Sequence, residues 1–131
     1  MFVRVEKVQQ VSLPRVVVRV HSPVGTAVSR WHGDLGQADG QHHVEWTVDE
    51  DLDWGQNIQL SALAQAWLGQ DGAQVILRGR IDISEPDIAV LEVAGSLIMF
   101  GLVTPLPEGI AGAWVEIRVA AASVSLYPFR L

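Results

Sequence analysis

The sequence predicts a mainly β protein: a small antiparallel barrel of the OB-like kind or a β-sandwich, with at most one short helix. Three observations carry that prediction. Apolar and polar residues alternate with period two along most of the chain, the pattern of half-buried strands. Short connections rich in glycine, proline and aspartate separate the runs, which favours antiparallel neighbours over crossover helices. Finally, 131 residues at 49% hydrophobic content suffice for one core, so residues 1–131 are read as a single domain.

Residues 2–9 form the first expected strand. In the next, Val16, Val18 and Val20 lie opposite Arg15, Val17, Arg19 and His21, and Ser22-Pro23 turns the chain. The stretch 33–40, with glycines at both ends, reads as a loop. A strand over 42–49 turns Val44, Trp46 and Val48 to one side, which places Trp46 in the core, and turns His43, Glu45, Thr47 and Asp49 to the other. The period then changes. Leu60, Leu63, Ala64 and Trp67 recur at helical spacing, with Ser61 near the start and Gly69 just past the end, and predict the one short helix. Over 74–84, Val75, Leu77, Gly79, Ile81 and Ile83 oppose Gln74, Ile76, Arg78, Arg80 and Asp82. Strands over 88–93 and 96–103 follow, joined by an Ala-Gly-Ser turn, and Pro-Leu-Pro-Glu-Gly at 105–109 ends the second. Val115, Ile117 and Val119 then oppose Trp114, Glu116 and Arg118, and residues 123–127 form the last strand. The terminal Leu126, Tyr127, Pro128, Phe129 and Leu131 are too apolar for a free tail and are expected to dock.

Composition narrows the function. No cysteine is present, which rules out disulfides, zinc thiolates and a thiol nucleophile. Fifteen acidic against nine basic side chains give a net charge of −6, the reverse of a phosphate-neutralising footprint, so nucleic acid is disfavoured. Arg78, Arg80 and Arg118 are the one local basic cluster noted. The charged start MFVRVEKVQQ lacks a signal-peptide core, and the apolar stretch 93–103 falls short of the roughly 20 residues of a membrane span, so a cytoplasmic protein with no membrane segment is expected. The apolar excess points to a face covered by a protein partner or by a second copy in a homodimer.

Any site is to be sought within 31–55, where three of the five tryptophans, three of the four histidines and the carboxylates Glu45, Asp49, Glu50, Asp51 and Asp53 fall together. The expected functional surface comprises Trp31, His32, His43, Glu45, Asp49, Asp53 and Trp54 on one side of the domain. Trp31 and Trp54 sit in loop-like sequence, where an exposed indole can stack on a ligand. No metal or cofactor is expected. Asp49, Asp51 and Asp53 match the start of a calcium loop, but its glycine position holds Trp54 and its last ligand position Leu60. His32, His42 and His43 reach one zinc ion only if 33–40 folds back, because neighbours on a strand point apart. Ser29, His32 and Asp34 have the residue types of a triad without any evidence of the geometry, and no G-x-S-x-G, G-x-G-x-x-G or P-loop pattern occurs. The leading expectation is a non-enzymatic module that binds a protein, for example as an immunity or inhibitor-type protein covering a basic active site. A small-ligand or carbohydrate module using aromatic platforms is the second, and a hydrolase using carboxylates and histidine of 31–55 the third.

Overall fold

A computed structural model describes residues 1–8 and 16–130 and is mainly β, 63% strand, with no α-helix among the described residues. Five of its strands close a barrel: β1 (Phe2–Lys7), β2 (Val16–Ser22), β3 (Gly25–Trp31), β4 (Gly40–Val48) and β11 (Val124–Phe129). Their order is β11-β4-β1-β2-β3. The parallel pair β11–β3, with Ser125 opposite Arg30 and Leu126 opposite Trp31, closes the ring, and every other neighbour in it is antiparallel. This is the five-stranded, OB-like alternative of the two expected architectures.

Valine alternation makes the barrel. Val3, Val5, Val16, Val18, Val20, Val44 and Val48 are all buried, because β-branched side chains suit a pleated, half-buried surface and are compact enough to fill a narrow interior. Trp31, Trp46 and Leu126 supply the remaining bulk. Ser29 is buried there too, and its hydroxyl donates to the Val124 carbonyl oxygen at 3.1 Å, which satisfies it.

Between β4 and β11 the chain leaves the barrel and builds a second sheet from β5 (Ile58–Leu60), β6 (Trp67–Asp71), β7 (Gln74–Glu85), β8 (Ile88–Val93), β9 (Ser96–Gly101) and β10 (Trp114–Ala120). The long β7 organises it. Its first half lies between β6 and β10, its second half pairs with β8, and β8 continues into the β9 hairpin. Val75, Leu77, Ile81, Val115, Ile117 and Val119 are buried as the alternation requires, whereas Ile83 lies beyond the covered part of the sheet and is exposed. Barrel and appended sheet share one apolar cluster. They also touch through backbone: Gly25 of β3 bridges Leu68 of β6 in parallel, and the Leu68 N–H donates to the Val24 carbonyl at 3.0 Å.

The short helix expected from Leu60, Leu63, Ala64 and Trp67, ending before Gly69, is absent. Residues 58–60 form β5, 67–71 form β6, and Ser61 holds the bend between them, its hydroxyl accepting from the Leu63 N–H and donating to the Leu63 carbonyl. Leu60, Leu63 and Trp67 are 60%, 54% and 42% exposed, so the helical spacing marks no buried stripe. β3, β5 and β6 were not anticipated as strands. β3 turns Ala27 and Ser29 inward and Val28 outward, which erases the apolar contrast that period-two reading needs.

Candidate functional site

Paired residues on neighbouring strands present their side chains to the same side, so register alone lays out the barrel's outer surface. Across β3, β11 and β4 the first row is Arg30, Ser125 and Thr47. Tyr127 and Glu45 form the next, and His32, one residue past β3, stacks on Tyr127 with ring centroids 4.6 Å apart and planes 15° off parallel. The third row is Phe129, His43 and Phe2, whose rings lie 5.9 Å and 4.7 Å apart in tilted contact. Phe2, Tyr127 and Phe129 are each about two-fifths or more exposed. Four rings therefore run over the adjacent strands β11, β4 and β1, and a fifth, His32, joins them from the end of β3.

Beside this surface opens a cleft of about 600 Å³, lined by Glu45, Thr47, Phe129 and Met1 on the barrel side and by Leu97 and Met99 of β9 on the other. Leu97 and Met99 are the outward residues of β9, and their neighbours Ile98 and Phe100 are buried. A smaller hollow of about 340 Å³ next to it gathers Arg30, His32, Thr47, Asp49, Ser125 and Tyr127.

The structure brings His32, His43, Glu45 and Asp49 onto this outer barrel surface, all on or flanking β3 and β4. It separates the other three. Trp31 is the last residue of β3, not a loop residue, and it is only 5% exposed; its indole N–H donates to the Asp34 carbonyl at 3.1 Å, so no face is left as a platform. The cause is parity: Trp31 shares the inward side with Ala27 and Ser29. Asp53 and Trp54 belong to the turn that leaves the barrel, half-buried, with Asn57 clamping the turn through the Asp53 N–H and the Asp51 carbonyl. Glu50 is structural as well, accepting from the Ala120 N–H at 3.0 Å and from the Asn57 amide. Trp46 is core, as expected.

His32 Nε2 and Ser125 Oγ lie 3.1 Å apart, the spacing of a base and a nucleophile. Ser125 is only 7% exposed, and the His32 ring lies flat on Tyr127. No three histidine, aspartate or glutamate side chains converge on a metal position among the described residues. His42 Nε2 is instead bonded to the Gln37 carbonyl, and its ring tilts against Trp31.

Sequence reasoning missed Phe2, Leu97, Met99 and Phe129. Leu97 to Phe100 is a continuous apolar run, in which alternation has no polar phase to reveal the outer pair. The apolar C-terminus was expected to dock; residues 124–129 do so as β11, but with Tyr127 and Phe129 facing outward, and Leu131 lies outside the described residues. Comparison with protein-family models, with curated proteins and with solved structures finds no match.

Proposed function

We propose that this chain is a non-enzymatic binding module that engages a protein partner through the outer surface of β1, β4 and β11 and the cleft beside β9. The observation that carries this reading is that exposed Phe129, Leu97 and Met99 line one cleft, with exposed Phe2 and Tyr127 on the adjoining barrel surface. Aromatic residues and methionine are the types enriched at protein interfaces, and they act best in a pocket whose rim excludes water. Glu45 in the cleft and Asp49 at its margin, with the net charge of −6, suit a partner that is basic around an apolar anchor. An immunity or inhibitor protein covering a basic catalytic surface has this chemistry.

The test is capture from a lysate of the source cells by the immobilised chain, compared with the Leu97→Glu/Phe129→Glu double variant. Both positions are exposed, so the variant keeps its fold and its thermal melt. Proteins retained by the wild type and lost by the variant support the reading. The same retained set for both removes this surface as the interface. Sedimentation in parallel distinguishes a second copy as occupant, which would appear as a dimer that the variant abolishes.

A further inference from the structure

The outward face of the appended sheet carries a second group of residues that the barrel surface does not use. Register places Trp67, Arg78 and Glu116 in one row across β6, β7 and β10, and Arg80 beside Trp114 in the next. With strands about 4.8 Å apart and about 3.4 Å of rise per residue, the two tryptophan Cα positions are offset by about 12 Å. We propose that this face binds a neutral oligosaccharide, with the two indoles as stacking platforms and the guanidinium–carboxylate ladder between them as the hydroxyl-binding floor.

Two observations favour that ligand class. The first is the posture of Trp67. A Cβ placed on Gly69, two residues further along the same face, would overlap the indole nitrogen, so the ring lies over Gly69, and the residue is 42% exposed. A flat indole offers its electron-rich face to the polarised C–H groups of a sugar ring. The second is charge. Arg78 donates to Glu116 at 3.1 Å and Arg118 to Asp71 at 3.0 Å, while Glu92 stands across the ladder from Arg80. Two of the three arginines are thus ion-paired, Arg80 donates to the Gly112 carbonyl with Glu92 opposite it in register, and the face carries as many carboxylates as guanidinium groups. A matched face has no net attraction for a polyanion, which disfavours single-stranded nucleic acid despite the suitability of tryptophan for base stacking. Preorganised charged donors and acceptors hydrogen-bond the neighbouring hydroxyls of an uncharged ligand.

Native electrophoresis through gels containing hydroxyethylcellulose, laminarin or soluble starch tests this, with binding to oligothymidylate measured beside it. At least one polysaccharide should retard the chain, and ligand addition should shift tryptophan fluorescence. Trp67→Ala should weaken retention by at least about tenfold, the loss of one stacking platform. Because Trp67→Ala also uncovers Gly69, Arg80→Ala serves as the second variant: its side chain is exposed and donates to the Gly112 carbonyl at the sheet surface, and the variant should weaken retention at an unchanged melting temperature. Phe129→Ala, on the barrel surface, should bind as the wild type does. Retardation by none of the three polysaccharides, retention unchanged in both Trp67→Ala and Arg80→Ala, or salt-sensitive binding of oligothymidylate in their place would overturn the proposal. The outcomes at Trp67 and Arg80 do not bear on the partner surface of the barrel, which is tested separately by protein capture with the Leu97→Glu/Phe129→Glu variant.

Discussion

Replacing Gly25 by alanine tests the junction between barrel and appended sheet. Gly25 has φ +142° and bridges Leu68, and an added Cβ would overlap the Leu68 carbonyl oxygen, a backbone atom that cannot rotate away. Gly40 provides the control: φ is +118°, and an added Cβ would meet nothing within 4 Å. Gly40→Ala therefore bears backbone strain alone, about 2 kcal/mol for a conformation that side chains rarely adopt. Gly25→Ala bears the same strain and must also push β6 off β3, losing the Leu68 N–H bond to the Val24 carbonyl and the packing around it, for a total of about 4 kcal/mol or more. At roughly 4 °C per kcal/mol for a chain of this length, melting should fall by about 8 °C for Gly40→Ala and by about 16 °C for Gly25→Ala. Thermal denaturation followed by circular dichroism near 218 nm, a wavelength characteristic of strand, reads both. Equal losses in the two variants would refute the close backbone approach at Leu68, and with it the seating of the appended sheet against the β2–β3 turn.

Ala64→Pro should cost well under the ~3 kcal/mol of a proline inside a helix, because residues 61–66 form an exposed bend; a loss of that size by chemical denaturation would restore the helix. Leu52, fully buried beside Leu102, should lose about 3 kcal/mol on truncation to alanine, read by urea titration, and a loss below about 1 kcal/mol would place it outside the core. The Glu6 carboxyl is held below its ordinary range chiefly by its hydrogen bond with His21, with Arg19 adding to the effect. A lowered folded-state value means that its contribution to stability is present above the unfolded carboxylate range and is lost as pH falls through the lowered value. In His21→Ala the Glu6 carboxyl should titrate at higher pH in a carbon-13 NMR titration, and an unchanged midpoint would show that the ring does not act on it. Chelation with EDTA should leave the melting temperature unchanged, and a drop restored by calcium or zinc would reveal a site that the described residues do not form.

What the sequence determined by itself is which side of each well-patterned strand is buried. At Val16 to Val20, Val44 to Val48, Val75 to Ile81 and Val115 to Val119 the alternation is local, since residues two apart share a face in any β structure, and each of these segments buries the expected side. The outward positions of His43, Glu45, Arg78, Arg80, Glu116 and Arg118 were legible by the same rule. Where both faces are apolar, as over 97–100, or where the inward face is small and polar, as at Ala27 and Ser29, the contrast vanishes and local pattern is silent. Only the tertiary structure decided that, of the eleven strands among the described residues, five close a barrel and six form an appended sheet, because closure rests on the pairing of Ser125 with Arg30 and Leu126 with Trp31, between segments far apart in the chain. That pairing turned Trp31 inward and set His32 on Tyr127, and the β4–β11 register put Phe129 against His43. A binding surface spread over several strands is written in hydrogen-bond register, and register is a property of pairs of segments that no single segment carries.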